Sequence, residues 1–402
     1  MNFETVKIAD LISEIAMGPF GSNIKVECFV DEGIPVLNGS NLNGYALNED
    51  SFRYVTEEKA DSLGRANAHR GDVVITHRGT LGQIVFIPKD SLHERYVISQ
   101  SQFRVKCNER ILPEYLVYYF HTRIGQHKLL SNASQVGVPA LARASTTFQT
   151  IEIDIPDMES QKKIVDLLET IRSKVEVNSE INENLEQQAA TYFYHHFIAN
   201  ADPSWKEGTI SDLGTVVGGS TPSKKKSEYY TDNGIAWITP KDLSVDKSKF
   251  ISHGADDITE LGLKNSSASI MPPGTVLFSS RAPIGYIAVA DGEVTTNQGF
   301  KSVVPHSNVG TAFVYYFLKN ALPTIENMAS GSTFKEISGG AMRTVPAIIP
   351  DDERLLEFTD FCEPLFQQQR TLEAENRFLA ALRDSLLPKL MSGELDVSGL
   401  DL

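Results

Sequence analysis

The stretch "LVYYF" at residues 116–120 returns almost unchanged as "FVYYF" at residues 313–317. A single five-residue match could arise by chance, so its neighbours decide its meaning. Further blocks recur in the same order, with an offset that drifts only from about 203 to 194. These blocks are "IADL" (8–11) with "ISDL" (210–213), "GIPVLNGSNL" (33–42) with "GIAWITPKDL" (234–243), "RGDVVITHRGTLGQIVFI" (70–87) with "PGTVLFSSRAPIGYIAVA" (273–290), "QSQF" (100–103) with "NQGF" (297–300), and "IPDMESQKKIVDLLETI" (155–171) with "IPDDERLLEFTDFCEPL" (349–365). The chain is therefore two tandem copies of one unit.

The composition is that of a globular protein with two or more domains. The chain has 402 residues, of which 41% are hydrophobic and 22% charged. Three scattered cysteines, Cys28, Cys107 and Cys362, are too few for a disulfide framework or a zinc site and indicate a reducing compartment. The N-terminus lacks the pattern of a signal peptide, and no apolar run reaches the roughly 18 residues that span a bilayer. The sequence predicts a cytoplasmic protein.

The charge is unevenly distributed. The whole chain carries a net charge of −15, which argues against a nucleic-acid binder when taken alone. However, residues 159–198 carry −3 and residues 351–402 carry −7 of that excess. The two large blocks outside these stretches are close to neutral, so each of them can still present a local basic face.

Each copy begins with a mixed α/β part of about 150 residues. Short apolar runs bounded by Gly and Pro, such as "VVIT" (73–76) and "VLFS" (276–279), predict strands. The segments "PEYLVYYFHTRIGQHKLL" (113–130) and "TAFVYYFLKNAL" (311–322) have helical spacing. The predicted fold class is therefore α+β, with two homologous mixed α/β domains in tandem.

Each copy ends in a long amphipathic helix. Residues spaced alternately by three and four form a stripe in 159–198 and again in 353–391, as in a coiled-coil seam. The seam candidates are Ile164, Leu168, Ile171, Val175, Asn182, Leu185, Leu365, Leu372, Asn376, Leu379 and Leu386. A lone helix of roughly 60 Å is marginal, so we expect the two helices to pair with each other in antiparallel orientation. Pro388 predicts a kink or an end near that residue.

Two helix segments and several loops resemble a known family. "KVEVNSEINENLEQQAATYFYHHF" (174–197) and "LRDSLLPKLMSGELDV" (382–397) resemble the central and C-terminal conserved regions of Type I restriction–modification specificity subunits. The loops resemble recurring blocks of the target recognition domains in that family: "GGSTPSKKKSEYY" (218–230), "GIAWITPKDL" (234–243), "SRAPIG" (280–285), "NQGFK" (297–301), "GPFGSNIK" (18–25) and "HRGTLG" (77–82). The first copy has "GPFGSNIK" where the second has a TPS-type stretch, which indicates that the two domains read different sequences.

The resemblance implies a domain plan and a function. It implies recognition domain 1 (1–157), a central conserved helix (158–198), recognition domain 2 (199–350), and a C-terminal conserved helix and tail (351–402). Each domain would read half of a split target in double-stranded DNA, and the coiled coil would set the unread gap. Two methyltransferase subunits would transfer methyl from S-adenosylmethionine to adenine N6, and restriction–translocase subunits would use ATP and Mg²⁺. This chain would bind none of these cofactors and would be non-catalytic.

The sequence itself shows no catalytic motif. It contains no "GK" dipeptide and hence no P-loop, and no Asn/Asp-Pro-Pro-aromatic stretch of the kind that amino-methylating enzymes use. His195 and His196 lie within a helical pattern and are surface or seam residues rather than metal ligands. "PDMESQK" (156–162) superficially matches a nuclease carboxylate–lysine set, but Asp157 is better explained as the N-cap of the helix.

Basic residues in polar loops are the candidates for DNA contact. Lysines neutralise phosphates, and an arginine can fork onto guanine or a phosphate. The candidates are Lys224, Lys225, Lys226, Arg281, Arg78, Lys241, Arg104 and Lys301. For the lysine run the alternative is a solvated loop, and for Arg281 and Arg78 it is a structural salt bridge.

Two other classes of protein compete with this interpretation. The acidic charge fits a coiled-coil scaffold that binds only proteins, although such a scaffold does not require the duplicated α/β domains. A self-contained nuclease or methyltransferase would need the motifs that are missing. Salt-dependent, sequence-selective binding to duplex DNA distinguishes the first alternative, and methyl transfer by the purified chain alone would support the second.

Overall fold

The computed structural model describes residues 1–134, 137–331 and 335–399. The predicted C-terminal helix and tail (351–402) ends with residues 400–402, which lie outside the described residues. The chain divides into two compact units: unit 1 comprises 1–174 and 379–402, and unit 2 comprises 175–378. Among the described residues, no helix combines the length and apolar character needed to cross a membrane.

Unit 1 begins with a set of mostly short strands interrupted by helices. Its strands are β1 (Phe3–Lys7), β2 (Ile12–Met17), β3 (Phe29–Val30), β4 (Ile34–Val36), β5 (Arg53–Val55), β6 (Asn67–His69), β7 (Asp72–Thr76), β8 (Ile84–Phe86), β9 (Arg95–Val97), β10 (Gln102–Cys107), β11 (Ala133–Ser134), β12 (Ala140–Leu141) and β13 (Glu152–Pro156). Its short helices are α1 (Glu57–Ser62), α2 (Pro113–His121), α3 (Arg123–Leu130) and α4 (Ala144–Thr150). The long helix α5 (Met158–Phe193) starts in unit 1 and ends in unit 2 with a π-helical segment, Tyr194–Ala199.

Unit 2 repeats this plan. Its strands are β14 (Lys206–Thr209), β15 (Gly214–Gly218), β16 (Tyr230–Thr231), β17 (Ile235–Ile238), β18 (Phe250–Ile251), β19 (Asp256–Ile258), β20 (Val276–Ser280), β21 (Ile284–Ala290), β22 (Thr295–Thr296), β23 (Lys301–Pro305) and β24 (Pro346–Ile349). Its short helices are α6 (Ile210–Leu213), α7 (Pro240–Val245), α8 (Glu260–Lys264), α9 (Thr311–Asn320), α10 (Leu322–Met328) and α11 (Gly339–Arg343). The second long helix, α12 (Asp352–Ser392), starts in unit 2 and ends in unit 1.

The sheets of the two units have matching topologies. The strand order β2-β10-β7-β8 in unit 1 corresponds to β15-β23-β20-β21 in unit 2, where β18 is added at the edge. The sheet β3-β5-β4-β9-β6 corresponds to β16-β19-β17-β22, and the ribbon β1-β13 to β14-β24. The duplication seen in the sequence is therefore a duplication of fold. It confirms the predicted class of two tandem α+β domains joined by long helices.

The opening pentapeptides belong to the buried helices α2 and α9. All residues from Tyr115 to Phe120 in α2 and from Ala312 to Leu318 in α9 are buried. Each helix packs in the main apolar core of its unit against the central sheet. Burial on every side explains why the aromatic run is retained in both copies, because such a helix is apolar all round.

The long helices have distinct signals at their ends. The Asp157 carboxylate accepts a hydrogen bond from the Ser160 backbone N–H at 2.9 Å, so Asp157 is the N-cap that the sequence predicts. That hydrogen bond lowers the pKa of Asp157. Helix α12 continues through Pro388 and ends at Ser392, one turn later.

Within unit 2 the ends of the two long helices run antiparallel. The Asn178 side chain is fully buried and donates from Nδ2 to Asn376 Oδ1 at 2.9 Å. One turn further along α5, the carbonyl of Asn182 accepts from Gln369 Nε2 at 3.1 Å. Asn376 is therefore paired with Asn178. Asn182, the residue equivalent to Asn376 in the repeat, is bonded to Gln369 instead.

Within unit 1 the start of α5 and the end of α12 share one core. Ile164 and Leu168 are fully buried in the same apolar cluster as Leu390 and Met391. The residues after α12 also pack on the first strand: a Cβ at Gly393 would lie 2.6 Å from the Phe3 ring, and the Met1 amino group lies 2.9 Å from Asp396 Oδ2. The predicted seam residues are buried or half-buried.

Candidate nucleic-acid interface

Two loops occupy the same place in the two units. The phenylalanine loop (18–29) and the lysine loop (219–230) each contain 12 residues. Each ends in a short 3-10 helix, Val26–Cys28 or Ser227–Tyr229, that leads into β3 or β16. Each loop needs a glycine at its start. A Cβ at Gly18 would lie 1.8 Å from a backbone oxygen of the opposing segment, and a Cβ at Gly219 would lie 2.0 Å from a backbone oxygen of its own opposing segment. The loops share a backbone frame and differ in side chains.

The lysine loop presents three exposed ammonium groups. Lys224 Nζ lies 5.7 Å from the centroid of the Trp237 ring, and Lys226 Nζ donates to Tyr229 Oη at 3.0 Å. The hydrogen bond to Tyr229 raises the pKa of Lys226. Lys225 is also exposed. The three side chains make this loop positive, and two of them, Lys224 and Lys226, lie close to aromatic rings.

The phenylalanine loop borders a cavity instead. Phe20 is 83% exposed at its mouth, and the cavity has a volume of about 390 Å³. Arg53 lies over the Phe29 ring at 5.3 Å from its centroid. No pattern in the sequence indicates this cavity, since its lining comes from four separate segments.

The candidates Arg281 and Lys301 lie together at strand ends of unit 2. Both pair with Glu336, Arg281 Nη1 at 3.4 Å and Lys301 Nζ at 3.8 Å. Burial lowers the pKa of Lys301, with Arg281 acting in the same direction and Glu336 opposing it. Arg343, which sequence reasoning missed, is exposed nearby, with its Nη1 3.7 Å from the position of a Cβ on Gly339. The repeat alignment gives no signal for it, because the offset of 194 places Gln149, an uncharged residue, opposite Arg343.

Arg78 and Lys241 are both exposed. Arg78 follows β7, as Arg281 follows β20, and its backbone N–H donates to Ser101 O at 3.3 Å. Lys241 is in the first turn of α7. These positions leave both side chains accessible to a ligand.

Arg104 differs from the other candidates, because its side chain is only 6% exposed. Its guanidinium contacts Glu14 at 2.9 Å and Asp72 at 3.2 Å and donates from Nε to Arg65 O at 2.9 Å. Burial raises the pKa of Asp72, while Arg104 acts to lower it. Arg104 therefore forms buried ion pairs that stabilise the fold, which argues against its prediction as a DNA contact.

Comparison with known protein families agrees with the division of the chain into two similar units. The model of the Type I restriction modification DNA specificity domain matches residues 2–187 and again residues 203–376. The chain belongs to this family. As such it is a specificity subunit, the non-catalytic component of a Type I system.

Individual relatives agree with the family. The MjaIX specificity subunit of Methanocaldococcus jannaschii is 38% identical over 192 residues, which are 46% of this chain and 44% of that protein. The HindI specificity subunit of Haemophilus influenzae is 23% identical, with 88% of this chain and 93% of that protein covered. The crystal structure of a Type I S subunit from M. genitalium superposes with a TM-score of 0.60 at 16% identity, covering 97% of this chain and 96% of that one. This last likeness shows the fold.

The specificity subunit carries a buried cation that no sequence pattern reveals. Lys249 precedes β18, and its ammonium group donates to Gln369 Oε1 at 2.7 Å and pairs with Glu186. Burial lowers the pKa of Lys249, and Glu186 opposes that effect. Glu186 also accepts from Tyr316 Oη at 2.8 Å. This cluster ties the edge of the unit 2 sheet to both long helices of that unit.

Each unit of the specificity subunit also has an open apolar cleft at the same place. The cleft in unit 1 has a volume of about 460 Å³, as has the cleft in unit 2. Their linings correspond through the repeat, with Arg123 and Ile124 at the places of Asn320 and Ala321, and Met391 and Ser392 at the places of Phe197 and Ile198. Within the described ranges, no group of three or more His, Cys, Asp or Glu residues is placed to hold a metal ion.

Proposed function

We propose that this specificity subunit reads a bipartite target in double-stranded DNA. Recognition domain 1 (1–157) reads one half-site and recognition domain 2 (199–350) reads the other. The helices of 158–198 and 351–402 set the unread gap between them. The protein acts in the cytoplasm, where the genome is accessible.

The pair of loops is the observation that carries this proposal. The phenylalanine loop and the lysine loop have a common frame, set by close glycine contacts and matching strands. Their residues differ at 8 of the 12 positions. A shared frame with different side chains is what two readers of two different half-sites need, because base edges are read by side chains while the frame fixes their position.

The exposed cations supply the contacts to the DNA backbone. Lys224, Lys225 and Lys226 are exposed in the lysine loop, and Lys241 is exposed next to the same sheet. Arg281, 38% exposed, and Lys301, 15% exposed, both pair with the carboxylate of Glu336. Arg78 has the corresponding place in domain 1. Positive groups on both domains fit duplex DNA, because both of its strands carry negatively charged phosphates.

The subunit works with partners that carry the chemistry. Two methyltransferase subunits bind S-adenosylmethionine and methylate adenine N6, and restriction–translocase subunits use ATP and Mg²⁺. The paired clefts favour two copies of one partner, because each unit offers the same apolar surface. We propose that one methyltransferase subunit docks at each cleft.

The experiment is methylation mapping of a genome that expresses the complex. We expect one bipartite motif with methylated adenines. Replacing 1–157 with the corresponding domain of a relative should change one half of that motif only. If both halves changed, or if the mapped motif were continuous, the modular mechanism would be wrong. The purified chain incubated alone with labelled S-adenosylmethionine should transfer no methyl group.

A scaffold that binds only proteins is the competing function, favoured by the net charge of −15. It predicts no selectivity among DNA duplexes at any salt concentration. The proposed function predicts selective binding by the complex that weakens steeply as salt rises. A titration with the mapped motif and a scrambled duplex separates the two.

A further inference from the structure

The cavity beside the phenylalanine loop is lined in part by Val36, whereas unit 2 has the Trp237 ring at the corresponding strand position, packed against Ser220 and Tyr230. Its volume of about 390 Å³ lies within the range of about 300–1,000 Å³ that is usual for small-molecule sites. Its walls combine apolar side chains, among them Phe20, Ile24 and Phe29, with the polar side chains of Asn38, Arg53 and Gln100. Apolar walls with a few polar groups suit a heteroaromatic ring.

The strand register explains why unit 2 is closed here. Val36 in β4 is paired with Arg53 in β5, and Trp237 in β17 is paired with Asp256 in β19 at the corresponding place. Phe29 and Tyr230 likewise start the equivalent strands β3 and β16. In unit 2 the Trp237 indole is 2% exposed and donates to Ser220 O at 3.0 Å. A valine in place of this tryptophan leaves the corresponding space in unit 1 open.

The phenylalanine loop is held firmly at the mouth of the cavity. A Cβ at Gly21 would lie 2.2 Å from Gln100 Oε1, so only a glycine permits this approach without a shift of the Gln100 side chain. The Gly18 N–H donates to Gln102 O at 2.8 Å. Phe20, between these two glycines, is left with its ring in solvent. An exposed ring on an anchored loop is a stacking surface that costs little ordering when a ligand binds.

The cavity also lies beside the candidate cation of domain 1. Gln100, in its wall, accepts at its backbone oxygen from the His77 ring at 3.1 Å. The next residue, Ser101, accepts from the backbone of Arg78 at 3.3 Å. A DNA backbone held by Arg78 would therefore pass close to the cavity.

We infer that this cavity binds a nucleobase of the half-site read by domain 1, with the base stacked on Phe20 and its polar edge towards Asn38, Arg53 and Gln100. The inference rests on the proposed function and deepens it. Domain 2, with its space filled by Trp237, relies instead on the positive surface of the lysine loop. The two half-sites are then read by different physical means.

Two variants test the inference in the methyltransferase complex. Val36→Trp places in domain 1 the side chain that closes domain 2, and Phe20→Ala removes the stacking surface. Phe20 is so exposed that its loss should not affect folding, so it decides the outcome if Val36→Trp does not fold. Leu92→Trp, at a position 74% exposed and outside the cavity, is the matched control.

Binding is measured on a duplex that carries the mapped motif. Loss of one base–aromatic stack predicts affinity roughly 5- to 100-fold weaker for Phe20→Ala and Val36→Trp, and unchanged for Leu92→Trp. Substitution of 2-aminopurine along the half-site tests for an unstacked base, by a rise in fluorescence that both variants abolish.

A rise in fluorescence that both variants abolish supports the inference, and the absence of a rise at every position of the half-site would overturn it. Folded variants that bind the motif as tightly as the wild type would overturn it while leaving the proposed function intact. A wild-type complex that binds every duplex equally would overturn the proposed function, and the inference with it.

Discussion

The phenylalanine loop and the lysine loop show how one fold acquires two surfaces. Both loops have the same length, the same glycine contact at the start and the same 3-10 turn at the end. One exposes a phenyl ring beside a cavity, and the other exposes three lysines, of which Lys224 lies near the Trp237 ring. The frame is thus independent of the side chains that it presents, and the surface can change without a change of fold.

A second comparison concerns Arg104 and Lys301, which the repeat places at equivalent positions. Arg104 is buried between two carboxylates, whereas Lys301 shares a half-exposed carboxylate with Arg281. The same position therefore stabilises the fold in domain 1 and remains near the surface in domain 2. Equivalence in a repeat does not imply equivalence of role.

Lengthening the spacer is the most drastic test of whether the two domains read independently. Four residues inserted after Asn182, and four after Gln369, which faces it, add roughly 6 Å of helix. Because each base pair advances about 3.4 Å, the unread gap should lengthen by one or two base pairs while both half-sites stay the same. Methylation mapping reads the gap directly. An active variant with the original gap would show that the helices do not set it.

Replacing Arg104 by alanine should cost about 3–5 kcal/mol in the free energy of unfolding, because Asp72 is left buried without its partner. Lys301→Ala should cost clearly less, since its partner Glu336 is 39% exposed and keeps Arg281. Denaturant titration of both variants gives the values. Equal costs would mean that burial does not separate the two positions.

Two tyrosines anchor the domains to the long helices. Tyr118 donates to Glu169 at 2.7 Å in unit 1, and Tyr316 donates to Glu186 at 2.8 Å in unit 2. Each change to phenylalanine should cost about 1.5–3 kcal/mol, the usual worth of a hydrogen bond to a charged group. Thermal unfolding of Tyr118→Phe and Tyr316→Phe is the measurement, and a cost near zero for either would show that its bond is not retained in solution.

Alanine at Lys224, Lys225 and Lys226 together should weaken DNA binding for all sequences. The slope of log affinity against log salt should fall by up to about 0.9 for each phosphate that these lysines no longer neutralise. Lys25→Ala, in the phenylalanine loop, is the counterpart and should lower the slope by no more than one such step. An unchanged slope in the triple variant would mean that the lysine loop is a solvated surface that contacts no phosphate.

Thiol labelling gives the smallest effect. Burial raises the pKa of Cys107 and of Cys362 to about 12, so neither forms a reactive thiolate at about pH 8. Cys28, half-buried in the phenylalanine loop, should be the thiol that reacts first with iodoacetamide. Binding of the target duplex should slow that reaction. Equal rates with and without DNA would place the loop away from the interface.

The repeat and the long helices could be predicted from the sequence, because both depend on the spacing of residues along the chain. The start of α5 at Asp157 follows from a capping residue, and its apolar stripe from heptad spacing. The partner of Asn376 could not be predicted in this way. Alignment of the repeat relates it to Asn182, but the antiparallel register places it against Asn178.

The site was less predictable, because it depends on burial. Exposed cations such as Lys225 follow from a polar loop, but nothing in the letters around Arg104 shows that two carboxylates enclose it. Lys249 gives no pattern at all, since one lysine before a short strand is ordinary and only packing makes it a buried ion. The cavity depends on what Val36 lacks relative to Trp237, which requires the strand register as well as the alignment.

The contact between the first strand and the residues after α12 has a consequence for chain connectivity. Met1 meets Asp396, Phe3 covers Gly393, and Lys163 Nζ donates to Ser398 O at 3.0 Å, all within unit 1. A short peptide could join these two segments, and the largely exposed stretch between Ala199 and Trp205 could then be cut. The resulting circular permutant would start with recognition domain 2 and end with the central helix, while every residue kept its present surroundings. The fold would then not depend on which domain comes first in the chain, because both chains contain the same segments in the same circular order.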